Sequence, residues 1–125
     1  MTIYHTGRLI DHVHLRVADL ERSRVFYRAV LTAIGLEGAI REGDGYFSAD
    51  ELWIDAADHP SGPFSRVHLA FKAADRAAVH AFHAAALASG GRDNGAPGER
   101  HYHPGYYAAF AFDPDGNNVE AVFHG

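Results

Sequence analysis

Residues 9–20 read LIDHVHLRVADL, and residues 65–76 read SRVHLAFKAADR. In the first stretch polar and apolar side chains alternate, which is the pattern of a strand with one buried face. His12 and His14 share the polar face of this strand. Asp19 precedes an amphipathic run, so we expect it to cap a helix. The first stretch therefore predicts a strand followed by a helix.

The second stretch repeats the first at a constant offset of 56 positions, without a gap. The histidine, the capping aspartate and a helical phenylalanine all recur, as His12, Asp19 and Phe26 in the first copy and His68, Asp75 and Phe82 in the second. Each copy continues into three short strand-like segments. We therefore predict a single domain, residues 1–125, made of two tandem βαβββ modules at about residues 8–57 and 64–124.

The bare face of each predicted sheet has to be covered. Placing the two bare faces together gives a partly closed, eight-stranded barrel-like sheet with the helices outside, which is an α+β fold. His12 and His68 then point inward, at matching places on the first strand of each module.

The remaining elements follow from alternation and from turn residues. We expect Gly35 and the pair Gly90–Gly91 to end the two helices. The other strands are predicted at Leu36–Arg41, Gly45–Ser48, Leu52–Ala56, Arg66–Ala73, Tyr106–Phe112 and Asn118–Phe123, with a short piece at Arg92–Asn94 before a loop rich in glycine and proline.

The composition is that of an ordinary globular protein, with 47% hydrophobic and 22% charged residues. The net charge of -5 provides no basic surface, so we expect no nucleic-acid partner. No apolar run approaches the ~20 residues of a membrane span, and we expect no membrane partner. The absence of cysteine excludes disulfides and thiolate metal sites. A cytoplasmic protein is expected.

Ten histidines stand out in this composition. Four of them are predicted to be surface residues: His5, His59, His80 and His124. His12 and His68 line the predicted interior, and Glu120 lies on the strand after the turn 113–116. Two imidazoles and a carboxylate suit Fe, Mn, Zn, Ni or Co. These residues also fit a metal-free pocket of hydrogen-bonded histidines, with Glu120 paired to Arg16 or Lys72.

The segment Asp11–Ser23 with Phe26 and Tyr27, and the closing segment Phe112–Glu120, resemble the glyoxalase / bleomycin-resistance / extradiol-dioxygenase superfamily, also called the vicinal-oxygen-chelate superfamily. The resemblance extends from about Leu9 to Phe123. It implies that His12, His68 and Glu120 bind one divalent metal ion. Glu51 is near the position where glyoxalase I enzymes have a second carboxylate, and whether it is a fourth ligand stays open.

The resemblance leaves the reaction open among a lyase or isomerase, a ring-cleaving dioxygenase and a thiol transferase. The segments Gly45–Ser48 and Leu52–Ile54 are similar to the fosfomycin-type thiol transferases. However, His14 stands where those enzymes keep a threonine, which argues against fosfomycin itself as the substrate.

The segment 91–107 is the most individual part of the chain. We expect Arg100 to bind an anionic group, and Tyr102 or His103 to exchange protons together with Glu120. The other candidate substrate-binding residues are His14, Trp53 and Tyr107. The same segment also fits a turn-rich connector with aromatic packing and a dimer contact.

Three functions follow from these observations. The first is a metal-dependent enzyme acting on a small oxygen-bearing substrate chelated to the ion. The second is a metal-free binding protein that, like the bleomycin-sequestering members, grips a cationic drug in an acidic aromatic groove between two subunits. The third, weaker possibility is a structural or regulatory dimer. A homodimer is expected in each case, because the short sheets have exposed edges.

Overall fold

The computed structural model describes residues 9–125, and it contains the two predicted βαβββ modules. The first module comprises β1 Val13–Val17, α1 Leu20–Ala33, β2 Ile40–Gly43, β3 Tyr46–Ala49 and β4 Leu52–Ala56. The second comprises β5 His68–Lys72, α2 Arg76–Ala88, β6 Arg92–Glu99, β7 Tyr107–Phe112 and β8 Asn118–Phe123. His5 and the predicted start of the first module lie outside the described residues, and the boundaries of the modules stay predictions.

Each module forms its own four-stranded sheet, with the strand orders β1-β4-β3-β2 and β5-β8-β7-β6. The first strand runs parallel to the last strand of its module, and the other neighbours are antiparallel. The register places His14 beside Trp53 in the first sheet and Ala70 beside Glu120 in the second. The same strand order in both modules confirms the tandem α+β architecture.

Both helices begin at the predicted capping aspartates. An Asp19 carboxylate oxygen accepts a hydrogen bond from the backbone N–H of Arg22 at 3.2 Å. Asp75 accepts one from the N–H of Ala78 at 2.7 Å. Each bond satisfies a backbone donor that the first helical turn leaves free, which stabilises a helix by about 1 kcal/mol.

Side-chain alternation on the strands separates the core from a polar face. On β1, Leu15 and Val17 point toward the helices and are fully buried. The helices contribute Phe26 and Phe82, which are also fully buried. Each such side chain contributes about 1.5–3 kcal/mol of hydrophobic stabilisation. The opposite face of each sheet therefore carries the polar side chains.

The two modules contact each other through α1 and α2, and the described strands do not close into one barrel within the chain. The buried Tyr27 hydroxyl donates to Asp113 at 2.5 Å, across the two modules. Asp115 accepts from the backbone N–H of Ala18 at 2.8 Å. Because the helices form this contact, the polar faces of both sheets carry exposed residues such as His14 and His68.

Two segments differ from their sequence-based predictions. The strand predicted from Leu36 begins only at Ile40, because Glu37–Ala39 forms a 3₁₀ turn. The predicted glycine- and proline-rich loop is instead the outer half of β6, which continues to Glu99. Its pairing with β7 shifts register near Gly95, so the irregular residues are accommodated in bulges. Pairing with a neighbouring strand therefore outweighs the low strand propensity of this segment.

Among residues 9–125, no helix is long and apolar enough to cross a membrane.

Candidate metal and substrate site

Glu120 lies on the polar face of β8, yet its side chain is only 2% exposed. Its Oε1 is 2.6 Å from His68 Nε2. Its Oε2 accepts a hydrogen bond from the Tyr106 hydroxyl at 2.7 Å. The cross-strand neighbours Ala70 and Phe110 flank it, and the small side chain of Ala70 leaves room for the carboxylate. Both oxygens of this buried carboxylate are thus partnered, as a buried polar group requires.

His68 lies between this buried carboxylate and the protein surface. Its side chain is 52% exposed, and its ring lies 6.0 Å from the ring of Phe110. Glu120 has no ion pair with Arg16 or Lys72 in the described chain, because Arg16 binds Asp55 and Asp58 instead. The carboxylate is therefore held by an imidazole and a phenol.

Tyr106 is the hydrogen-bond donor to Glu120. Burial raises the pKa of Tyr106 to about 12, and the hydrogen bond to Glu120 and the charge of that carboxylate act in the same direction. Tyr106 is therefore a neutral donor at physiological pH. This residue was not singled out from the sequence.

A cluster of aromatic rings surrounds Tyr106. Tyr102, His103 and His124 place their ring centroids 4.9, 5.3 and 5.3 Å from that of Tyr106. His103 Nε2 and His124 Nδ1 lie 2.9 Å apart. The two predicted proton-transfer residues, Tyr102 and His103, thus contact Tyr106, which in turn binds Glu120. His124 is exposed, as predicted, but it belongs to this cluster.

Arg100 and Tyr107, both predicted to bind substrate, lie in different places. The Arg100 guanidinium is above the ring of Phe110 and donates to the Ala96 carbonyl at 2.7 Å. Tyr107 is on the helix-facing side of β7, where its hydroxyl is 2.6 Å from His80 Nε2. The structure therefore brings Arg100, but not Tyr107, to the face that carries Glu120.

The polar face of the first module carries a connected set of side chains. His14 Nε2 is 2.8 Å from an Asp55 oxygen, and the Trp53 indole N–H donates to the other oxygen at 3.2 Å. The Trp53 ring stacks on Tyr46 with centroids 4.4 Å apart. Burial alone would raise the pKa of Asp55, but the hydrogen bonds from His14 and Trp53 and the charge of Arg16 lower it. This face is an aromatic platform with an ionised carboxylate beneath it.

His12 lies next to this platform, just before β1. Its side chain is 67% exposed, and its Nδ1 is 2.9 Å from an Asp11 oxygen. His12 and the platform line the same open depression of about 500 Å³. Its lining residues are His12, His14, Ser48, Asp50, Glu51, Leu52 and Trp53. Glu51 is exposed, and its backbone carbonyl accepts from the N–H of Val13.

The structure brings together two of the three predicted metal ligands. His68 and Glu120 are in contact, and His12 belongs to the other module. Within the described part of the chain, no three histidine, aspartate or glutamate side chains are grouped around one point. An imidazole beside a carboxylate whose second oxygen is fixed by a hydroxyl has the donor chemistry of a divalent metal site. The pair fits such an ion, and a third protein ligand would have to come from outside this pair.

Two residues of the site, Tyr106 and Asp55, were missed by reasoning from the sequence. A signal for each existed in the two-residue period of a strand. Counting back from Phe110, the neighbour of Glu120, reaches Tyr106 and excludes Tyr107. Counting on from Trp53 reaches Asp55 in the same way.

Comparisons with known proteins agree with this fold. A family model described as Glyoxalase/Bleomycin resistance protein/Dioxygenase superfamily matches residues 9–121. A glyoxalase/bleomycin resistance protein from Albidiferax ferrireducens T118 is 30% identical, with a TM-score of 0.72 over 89% of this chain and 94% of that chain. A search of curated proteins found no match.

Two further solved structures share the architecture at lower similarity. A glyoxalase-related enzyme from Fulvimarina pelagi is 18% identical, with a TM-score of 0.70 over 94% of this chain and 88% of that chain. A glyoxalase I mutant from Zea mays is 27% identical, with a TM-score of 0.59 over 90% of this chain and 45% of that chain. With two βαβββ modules and a family match over nearly its whole length, the chain belongs to the Glyoxalase/Bleomycin resistance protein/Dioxygenase superfamily.

Proposed function

We propose that this protein is a metal-dependent enzyme that binds one divalent ion through His12, His68 and Glu120 and acts on a small oxygen-bearing substrate. The observation that carries the proposal is the buried Glu120 carboxylate beside the exposed His68. Taking a carboxylate out of water costs several kcal/mol, and an ion pair rarely returns that cost as stability. A role in binding a cation explains why the carboxylate is there.

The third ligand, His12, is proposed to come from a second copy of the chain. The modules of one chain contact each other through helices, and the ligand-bearing faces stay exposed. In a two-fold symmetric dimer, the first module of one copy faces the second module of the other, and the reverse contact forms at the same time. The dimer then holds two equivalent sites and covers both polar faces.

When bound, the ion would act as a Lewis acid that polarises substrate oxygens. The chain's own residues would do the rest. Trp53 and His14 flank the substrate on the first module, and Arg100 supplies positive charge for an anionic group on the second. Tyr102 and His103, beside Tyr106, would exchange protons with the substrate. These functions suit a lyase or isomerase, a ring-cleaving dioxygenase and a thiol transferase alike.

The proposal is tested by mixing two inactive variants, His12→Ala and Glu120→Gln, and measuring bound Zn²⁺ or Ni²⁺ after removal of free metal. Each variant alone is expected to lose the ion. Random re-pairing makes half of the dimers mixed, and each mixed dimer regains one of its two sites. The mixture is therefore expected to bind about one quarter of the wild-type amount.

The same experiment separates the two parts of the proposal. If the wild-type chain binds no divalent ion, the enzyme proposal fails. If the wild type binds one ion per chain and the mixture regains none, the site is formed within one chain and the shared-site arrangement fails. The two variant chains differ in mass, so native mass spectrometry of the mixture reports independently whether mixed dimers have formed.

A second candidate function is metal-free binding of a cationic aromatic molecule. Two observations favour it: the bonds among His68, Glu120 and Tyr106 satisfy one another without an ion, and Trp53 offers an exposed aromatic surface. The relative from Albidiferax ferrireducens T118 carries bleomycin resistance in its name. Tight binding of bleomycin by a dimer that takes up no metal would favour this function over the first.

A further inference from the structure

We propose that Tyr106 is the positioning residue of the metal site, because it fixes Glu120 so that one carboxylate oxygen alone is presented to the ion. This inference rests on the proposed function. Tyr106 itself binds no ion, and it acts only through Glu120. It is also the residue on this face that sequence reasoning did not find.

The geometry of the carboxylate carries the argument. The Tyr106 hydroxyl donates to Oε2 at 2.7 Å, and Oε1 is directed toward His68 Nε2 at 2.6 Å. A carboxylate with one oxygen held by a hydroxyl offers the other as a single ligand atom. Without the hydroxyl, Oε2 is free to turn, and both oxygens compete for the same ion. Groups that orient metal ligands in this way strongly affect metal affinity.

The backbone and the aromatic cluster hold Tyr106 in place. The Arg100 N–H donates to the Tyr106 carbonyl at 2.9 Å, and the Tyr106 N–H donates to the His103 carbonyl at 3.2 Å. The rings of His103 and His124 pack edge-on against the Tyr106 ring and bind each other. The end of the chain and the turn before β7 therefore both restrict this one side chain.

Tyr107 offers a matched control. It is the adjacent residue and the same amino acid, and its hydroxyl also makes one hydrogen bond, to His80. Strand alternation sends that hydroxyl to the opposite side of the sheet. Removing either hydroxyl therefore makes the same chemical change, but only the Tyr106 hydroxyl contacts Glu120.

The experiment compares Tyr106→Phe with Tyr107→Phe in the full chain. The Kd for Zn²⁺ is measured by calorimetry, and the visible spectrum of the Co²⁺-loaded protein reports the coordination of the ion. We expect Tyr106→Phe to weaken binding about 10- to 100-fold and to change the Co²⁺ spectrum. Tyr107→Phe is expected to change neither. Circular dichroism confirms that both variants are folded at the temperature of measurement.

Two outcomes overturn the inference in different ways. A Tyr106→Phe variant with wild-type Kd and spectrum eliminates the positioning role but leaves the metal site intact. A wild-type chain that takes up no Zn²⁺ or Co²⁺ eliminates the proposed function and the positioning role together. If Tyr106→Phe does not fold, a crystal structure of the wild type with Zn²⁺ decides: both Glu120 oxygens on the ion, or a Tyr106 hydroxyl turned away from Oε2, contradicts the proposal.

Discussion

The first and second modules place different side chains at the same point of the same fold. In the second sheet Ala70 on β5 lies beside Glu120 on β8. At the corresponding point of the first sheet, His14 on β1 lies beside Trp53 on β4. The carboxylate of one module is thus replaced by an indole in the other. Duplication kept the backbone register and changed the chemistry of the face.

This difference explains why the chain would hold one ion and not two. The small Ala70 leaves space in which a carboxylate is covered by neighbouring rings. In the first module, Trp53 is at the corresponding point. Asp55, the next residue on the same polar face of β4, binds His14. In the proposed site, the first module would therefore supply one histidine and a flat aromatic surface, and the second the buried carboxylate.

The largest expected effect, on metal binding, concerns Glu120, the proposed ligand, in comparison with Glu51, the possible fourth ligand. Glu120→Gln removes the charge of the buried carboxylate, and we expect no measurable Zn²⁺ binding by calorimetry. Glu51→Gln makes the same change just before β4, at an exposed residue opposite the start of β1. If the ion is held by the three proposed ligands alone, the Kd stays unchanged. A comparable loss in both variants would instead make Glu51 a fourth ligand.

An intermediate effect, on the free energy of unfolding, is expected at two glycines that occupy corresponding positions of the two modules but have different surroundings. A Cβ on Gly91 would lie 2.6 Å from the Phe26 ring and 2.7 Å from the Ala86 carbonyl, so Gly91→Ala is expected to destabilise by about 3 kcal/mol. Gly35, 56 positions earlier, has free space but a φ of +82°. We expect Gly35→Ala to cost about 1–2 kcal/mol.

Gly38→Ala is the control for this series, because Gly38 has neither a close neighbour nor a positive φ. Urea denaturation measures the free energy of unfolding of the three variants and so gives the order of their losses. Equal losses for Gly91→Ala and Gly38→Ala would contradict the close approach of the two modules at α1.

The smallest expected effect is a pH dependence of the free energy of unfolding, caused by Asp55 in the first module. The pKa of Asp55 is lowered in the folded chain, since the hydrogen bonds from His14 and Trp53 outweigh the opposing effect of burial. Its stabilising contribution is therefore complete above the unfolded-state pKa of about 3.9, and it is lost as the pH falls through the lower folded-state value. The difference in unfolding free energy between wild type and Asp55→Asn should shrink over that acid range. A difference that grows on acidification would show that the direction is wrong.

The sequence predicted the repeated unit because its signals are local. Alternation defined β1 and β4, and the aspartates at positions 19 and 75 defined the helix starts. Local signals failed for β6, where pairing with β7 imposes a strand on glycine and proline. They also failed for Tyr106, because two adjacent tyrosines are equivalent until the neighbour of Glu120 fixes which one shares its face.

The sequence did not predict how the two modules pack against each other, for a different reason. Covering the polar faces within one chain or between two chains buries similar surfaces, and the sequence pattern is the same in both cases. The helix contact around Phe26 and Gly91 decides between them, and it depends on backbone approach that periodicity does not report.

The irregular strand β6 also limits how copies of the chain can add to one another. It forms the outer edge of the second sheet, and Pro97 lacks the N–H that a further strand would need. Its register shifts near Gly95 twist the remaining edge away from a flat ladder. Such an edge is a poor template for open-ended growth into fibres. Extension of the second sheet by a further strand at β6 is thereby disfavoured.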